Sequence, residues 1–244
     1  MRGFWSVFKR ELKGYFSTPL AYVFLVIFLF FSSFIPFQKN FFEMRVASLE
    51  LFFETMPLLF IFLVPAMAMR LWAEERRSNS IELLFSLPVT VTQAVLAKFF
   101  ACWAVLILAL ILTCPMVFTV AYLGDPDWGP VITGYLGCLL LTGVYLAIGS
   151  FFSCLNRNQV IAFVLSVVTC AVFLYAGSPT VMDYLSGFLS AGLVATVENL
   201  SFLSRFESFQ RGVIEYRDVG FFVLLAAGWL WANVVALNER KAVG

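Results

Sequence analysis

The chain has 244 residues, of which 61% are hydrophobic and 13% charged, and its formal net charge is +1. Soluble domains are about 45–50% apolar and about 25% charged, so this composition excludes an ordinary soluble domain and predicts an all-α polytopic membrane protein. The near-neutral charge does not suggest a nucleic-acid partner. The absence of histidine removes the commonest metal ligand and the usual general base.

Residues 3–16 are predicted to form a basic amphipathic helix. At 100° per residue, six apolar side chains share an arc of about 120°: Phe4, Trp5, Phe8, Leu12, Tyr15 and Phe16. The opposite side carries Arg2, Lys9, Arg10 and Lys13. Such a helix is typical of the membrane interface, and Ser17-Thr18-Pro19 separates it from the first span. The alternative is a cytosolic extension of that span.

Six uncharged stretches are predicted to cross the membrane, each needing about 20 residues. Together they form a single transmembrane domain over residues 1–244, with spans at about 20–37, 51–71, 94–123, 131–153, 159–177 and 219–237. No small-residue cleavage site follows the first span, so it is expected to remain as an anchor. Pro115 is expected to kink the third span.

The lysines and arginines predict the orientation, because they accumulate on the cytosolic side. With both termini in the cytosol, 11 of the 16 basic residues lie inside. These are Arg2, Lys9, Arg10, Lys13, Arg70, Arg76, Arg77, Lys98, Arg157, Arg240 and Lys241. The segment 178–218 would then lie outside. Its apolar run is too short for a span and is typical of an interfacial or re-entrant helix.

Arg70 to Lys98 is the longest polar interruption among the early spans. Asn79 is a plausible N-cap for a short helix over residues 80–87, which Pro88 would end. Thr90 and Gln93 match a capping box, so the next helix should begin near Val91. A short capped helix between two spans would present a rigid contact surface to a partner in the cytosol. The alternative is an ordinary solvated loop.

Motifs for chemistry are missing. No P-loop occurs, so the chain is not expected to bind ATP phosphates itself. The five cysteines lie in or beside apolar spans and form no C-x-x-C pair, which indicates small buried residues. Glu74 and Glu75, followed by Arg76 and Arg77, are interpreted as a solvated charged helix end.

Four blocks of sequence resemble the type-2 ABC transporter permease, and within it the gliding-motility-associated permease. They are FKRELKGYFSTPLAYV (8–23), IFLVPAMAMRLWAEERRSNSIELLFSLPVTVTQAVLAKFF (61–100), NQVIAFV (158–164) and FESFQRGVIEYRDV (206–219). The resemblance implies six spans, an interfacial N-terminal helix and an extracytoplasmic helical hairpin before the last span.

The resemblance also implies partners. Two permeases would pair in a bacterial inner membrane, and each would dock an ATP-binding-cassette ATPase that holds ATP and Mg²⁺. The segment 72–93 would contain the coupling helix that contacts this ATPase. The implied contact residues are Glu74, Glu75, Arg76, Arg77, Ser80, Ile81, Glu82, Leu83 and Leu84. Lys9, Arg10 and Lys13 would belong to the connecting helix, and an extracytoplasmic accessory protein could bind the outer segment.

Three functions compete. The first is a permease, expected to be an exporter, driven by a separate ATPase. The second is a mechanical transmitter that acts on an extracytoplasmic partner through 178–218 without moving a cargo. The third, an intramembrane enzyme, is disfavoured because histidines and clustered carboxylates are missing.

Overall fold

A computed structural model describes residues 2–38, 48–78, 89–187 and 191–243, and every regular element within these ranges is a helix. The helices in chain order are α1 (Arg2–Ser17), α2 (Pro19–Gln38), α3 (Glu50–Ala68), α4 (Arg70–Arg77), α5 (Val91–Ile111), α6 (Cys114–Leu123), α7 (Trp128–Leu155), α8 (Gln159–Tyr175), α9 (Pro179–Ser186), α10 (Ala191–Asn199), α11 (Phe202–Gln210) and α12 (Tyr216–Val243). The predicted all-α fold class is confirmed.

Helix α7 is the centre of the bundle, and α3, α4, α5, α8, α11 and α12 all contact it. Small residues permit this, because glycine lets helices approach closely within a membrane. A Cβ added to Gly149 would lie 2.4 Å from the Cβ of Ala68 on α3. A Cβ added to Gly134 would lie 2.7 Å from the Phe53 ring. The α3–α7 contact therefore depends on glycine at both positions.

Helices α2, α8 and α12 lie at the periphery and expose apolar side chains along one face. These include Val26, Phe30 and Phe34 on α2, Val160, Val164 and Val172 on α8, and Leu224 and Trp231 on α12. A large exposed apolar surface marks contact with lipid or with another membrane protein.

Among the residues that the structure describes, five helical stretches are long and apolar enough to cross a membrane: Ala21–Gln38, Glu50–Arg77, Val91–Leu123, Trp128–Leu155 and Tyr216–Glu239. They coincide with the predicted spans one, two, three, four and six. The fifth predicted span corresponds to α8, whose 17 residues extend about 25 Å. That length falls short of the about 30 Å hydrocarbon core, so the count of six spans stays a prediction.

Several local predictions from the sequence are confirmed. Helix α5 begins at Val91, and Thr90 and Gln93 form both bonds of the capping box. The third span is interrupted between α5 and α6, two residues before Pro115, which has no N–H to continue the helical ladder. Four of the five cysteines are buried, Cys114 is partly buried, and all five are free thiols.

Candidate functional site

Four charged side chains from three helices meet at one end of the bundle, and we call this group the charged junction. It consists of Arg10 and Glu11 on α1, Glu75 on α4 and Lys98 on α5. The Lys98 Nζ lies 2.9 Å from Glu75 Oε1 and 3.2 Å from Glu11 Oε2. The Lys98 side chain is only 3% exposed. One ammonium group therefore holds α1 and α4 against α5.

Arg10 completes the junction from its solvent side, with a side chain that is 51% exposed. Its Nη2 donates to Glu11 Oε1 at 2.8 Å and lies 3.6 Å from Glu75 Oε1. The junction thus contains two cations and two carboxylates. A buried charge is stable only when it is paired and hydrogen-bonded, so each member depends on the others.

Glu11 shows the balance of forces in the junction. Burial raises the pKa of its carboxyl, but the charges of Lys98 and Arg10 and the hydrogen bonds that they donate outweigh burial. The net effect is a pKa below the ordinary value of 4.5. Glu11 is therefore held as a carboxylate by its partners.

Trp72 on α4 packs against the Lys98 ammonium group of the junction. The Lys98 Nζ lies 5.2 Å from the centroid of the Trp72 ring system, within the range of a cation–π interaction. The indole Nε1 donates to Ser150 Oγ on α7 at 3.2 Å. Asn233 Nδ2 on α12 donates to the same oxygen at 2.6 Å. The tryptophan thus connects the charged junction to α7 and α12.

Ser153 on α7 caps the start of α4. Its Oγ accepts from the backbone N–H groups of Trp72 and Ala73 at 3.0 and 3.1 Å, and it donates to the Met69 carbonyl at 2.7 Å. The first N–H groups of a helix have no partner within the helix, and here a neighbouring helix supplies one. We call Trp72, Ser150, Ser153 and Asn233 the serine clamp.

The serine clamp corrects the predicted boundary of the coupling segment. That segment was expected to begin at residue 72 as a cytosolic stretch, but Trp72 and Ala73 are fully buried. They pack on α7 because Ser150 on that helix accepts from the indole N–H and Ser153 accepts from both backbone N–H groups. The first turns of α4 therefore belong to the core of the bundle.

The structure separates the predicted contact residues into two groups. Glu74 and Arg77 are exposed, as expected for a solvated helix end. Glu75 and Arg76 are partly buried: Glu75 binds Lys98, and the Arg76 guanidinium donates to the Cys154 carbonyl. The solvated interpretation is wrong for these two, because their side chains point back into the bundle. Ser80, Ile81, Glu82, Leu83 and Leu84 lie outside the described residues.

The basic residues of α1 also separate. Arg10 enters the charged junction, whereas Lys9 and Lys13 are exposed. The buried ridge of α1 consists of Val7, Glu11 and Tyr15, on the side of the helix that faces α5. Glu11 lies on this ridge, between the apolar side chains.

Sequence reasoning missed Glu11, Lys98 and the serine clamp as site residues. One signal was available for Lys98: it is the only charge within Val91–Ile111, and an ionisable residue in an apolar span usually has a partner. Glu11 had a weaker signal, its position between Val7 and Phe4 on the helical wheel. Ser150 and Ser153 had none, because serine is a common small residue in membrane helices.

The opposite end of the bundle is closed by α11. Phe202, Phe206 and Phe209 are fully buried, and a Cβ on Gly137 of α7 would lie 2.9 Å from Phe209. Arg205 Nη1 binds Asp218 Oδ1 of α12 at 2.6 Å, and its guanidinium lies 4.4 Å from the centroid of the Phe221 ring. A cavity of about 710 Å³ beside α11 is lined in part by Glu50, Glu54, Asp127, Glu207 and Arg211.

The charged junction and the serine clamp together connect α4 to four other helices. The junction joins α4 to α1 and α5, and the clamp joins it to α7 and α12. Within residues 2–38, 48–78, 89–187 and 191–243, no group of three or more His, Cys, Asp or Glu side chains could hold a metal ion.

Comparison with known proteins gives the family. The family model described as "ABC-2 family transporter protein" matches residues 37–232, most of the chain. A search of curated proteins gives no match. Permeases of this family pair with an ABC ATPase subunit. The chain therefore belongs to the ABC-2 family of transporter proteins and is a multi-pass membrane permease subunit of an ABC transporter.

Proposed function

We propose that this permease couples ATP hydrolysis by a separate cytosolic ATPase to export across a bacterial inner membrane, with both of its termini in the cytosol. ATP and Mg²⁺ would be held by the ATPase, and this chain would bind no cofactor. The observation that carries the proposal is the position of the charged junction. It includes Glu75 of α4, the helix that comes immediately before residues 79–88 in the chain, where the coupling helix is predicted from the sequence.

Contacts within the bundle support this role for α4. A force on residues 79–88 is transmitted to α4 and α5, because that segment connects these two helices in the chain. Helix α4 is held at its start by hydrogen bonds to Ser153 of α7, and near its end by the ion pair between its own Glu75 and Lys98 of α5. Its displacement would therefore move α5 and α1 through Lys98, and α7 through Ser153.

A second permease copy is the other partner that we propose. Helices α2, α8 and α12 expose large apolar side chains that are not packed within the bundle. In a membrane such a face contacts either lipid or another helix. The family resemblance favours pairing of two permeases across part of this surface.

A mechanotransmitting role without cargo is the second candidate. One observation favours it: α9 and α10 have few contacts with the bundle beyond α11, and Tyr184 on α9 is exposed. This part of the outer segment would suit an extracytoplasmic accessory protein. Both candidates use the same charged junction. They differ in whether a cargo crosses the membrane or the segment α9–α11 acts on an extracytoplasmic partner.

The test is a pair of substitutions, Leu83→Asp and Leu84→Asp, measured by membrane abundance and by co-purification of the ATPase. A polar group buried in the partner's cleft without a matched hydrogen bond costs about 1–3 kcal/mol, or an affinity loss of about 5- to 150-fold. We expect normal abundance with reduced ATPase binding for both variants.

The matched control is Leu200→Asp, which places the same charge on an exposed leucine at the other end of the bundle. It should leave ATPase binding unchanged. Normal ATPase binding by both Leu83→Asp and Leu84→Asp, at normal abundance, would refute the proposed coupling contact.

A further inference from the structure

Helix α1 has three distinct faces rather than the two that its amphipathic sequence indicates. Taking Phe4 as zero and 100° per residue, the buried ridge of Val7, Glu11 and Tyr15 spans about 300° to 20°. This ridge contacts the bundle and carries Glu11 into the charged junction. The other two faces are less buried: their side chains are exposed or partly buried, and of these Leu12 and Phe16 pack against the core.

The second face is aromatic and extends from about 40° to 120°. Trp5 is 55% exposed, and its ring centroid lies 5.5 Å from that of Phe8. Leu12 and Phe16 lie on the same face and are only partly buried. Aromatic side chains with one exposed side are typical of the boundary between bilayer and water.

The third face is cationic and adjoins the aromatic one. Lys9 and Lys13 lie at about 140° and 180°, one helical turn apart on the same side. Both are exposed, and neither forms an ion pair within the ranges that the structure describes. Arg10, at about 240°, points the other way and is bound by Glu11 and Glu75.

We propose that Lys9 and Lys13 form a binding site for the headgroup of an anionic phospholipid, whose acyl chains lie against Trp5 and Phe16. Two ammonium groups are complementary to a phosphodiester whose headgroup carries no cation to neutralise it. The aromatic face brings these ammonium groups to headgroup depth. This inference is independent of the proposed export function.

An acidic surface of the ATPase is a different occupant for the same lysines. The geometry favours lipid, because Lys9 adjoins the aromatic face, whereas the edge of α1 nearest α4 is occupied by Arg10. The experiment below distinguishes the two occupants.

The test uses the full chain in nanodiscs and the fluorescence of Trp5. Brominated phosphatidylglycerol and brominated phosphatidylcholine are compared as quenchers at equal mole fraction. Subtracting the Trp5→Phe variant isolates Trp5 from the other tryptophans. At about 1 kcal/mol per lysine near the surface, the enrichment of anionic lipid is expected to be several-fold, with an upper bound of about 30-fold.

Two double variants identify the lysines as the cause. In the double variant Lys9→Gln with Lys13→Gln, both brominated lipids should quench Trp5 equally. In Lys9→Arg with Lys13→Arg, the stronger quenching by brominated phosphatidylglycerol should remain. In the wild type, raising the salt from about 0.05 M to about 0.5 M should weaken the preference by screening, a test that needs no substitution.

Equal quenching of wild-type Trp5 by both lipids would overturn the proposal. So would a preference that survives Lys9→Gln with Lys13→Gln. If that double variant kept its lipid preference and lost the ATPase on purification, the lysines would be assigned to the ATPase instead.

Discussion

Both ends of the bundle hold a cation against an aromatic ring, buried in the case of Lys98 and partly buried in the case of Arg205, but the surroundings of the two cations differ. Lys98 is shared between Glu11 and Glu75 on two helices, and its tryptophan is held by serines. Arg205 binds the single carboxylate Asp218 within an aromatic layer.

The difference indicates how each end can respond to force. At the charged junction, one ammonium has two carboxylate partners on different helices, so one contact can lengthen while the other remains. At α11, Phe202, Phe206 and Phe209 interlock with α7, and tightly packed apolar contacts do not deform gradually. The first end is suited to movement, and the second to closure.

The largest expected effect is that of Lys98→Met. It leaves Glu11 and Glu75 close together and partly buried without their shared cation. Removing one member of a buried ion pair costs about 3–5 kcal/mol, so the midpoint of thermal unfolding in detergent should fall strongly.

Two matched variants sharpen this prediction. Lys98→Met combined with Glu11→Gln and Glu75→Gln removes the orphaned charges and should recover most of the loss. Arg77→Met removes an exposed charge from the same helix as Glu75 and should change stability by less than about 0.5 kcal/mol. Equal midpoints of thermal unfolding for Lys98→Met and Arg77→Met would show that the buried Lys98 stabilises the fold no more than an exposed charge does.

An intermediate effect is expected for Phe206→Ala at the aromatic end. Phe206 is fully buried against α7, and truncation of a buried phenylalanine costs about 3 kcal/mol. Because no charge is involved, the loss should be the same at low and high salt. Phe34→Ala, which truncates an exposed phenylalanine of α2, is the control and should have little effect. A salt-dependent loss for Phe206→Ala would show that the two ends are not held by different forces.

The smallest expected effect is the acid sensitivity contributed by Glu11. Its folded pKa lies below the ordinary value of 4.5 because Lys98 and Arg10 outweigh burial. The folded state therefore binds this proton less readily than the unfolded state, so the stabilisation is present above the ordinary pKa. It is lost as the pH falls from about that value through the folded pKa.

Unfolding midpoints between pH 7 and pH 3 would measure this effect for the wild type and for Glu11→Gln. We expect the wild type to lose more stability than the variant over the acid part of the range, since only the wild type contains this carboxylate. Parallel pH profiles for the two proteins would contradict the assigned pKa direction.

The sequence predicted the fold better than the site. Spans are visible because some 20 apolar residues are needed to cross a membrane, and the start at Val91 was visible because a capping box is a local pattern. Helix α8 was predicted as a span of 19 residues but has only 17 in helical conformation, a difference that composition does not resolve.

The charged junction could not be derived in the same way. Lys98 meets Glu11 and Glu75 only because α1 folds back along α5, and this long-range packing leaves no periodicity in the sequence. Ser153 caps α4 from more than eighty positions away. The local sequence pattern predicted that Glu75 is solvated, because such a pattern describes a helix without its neighbours.

Each helix end that flanks residues 79–88 has a cap formed by residues outside that segment. At the end of α4, the Ser78 hydroxyl donates to the Glu74 carbonyl at 2.9 Å. At the start of α5, Thr90 and Gln93 satisfy each other's backbone N–H groups. Exchanging residues 79–88 for those of a related permease therefore leaves the residues of both caps in place. Such a chimera would test partner choice with the capping residues of the two flanking helices unchanged.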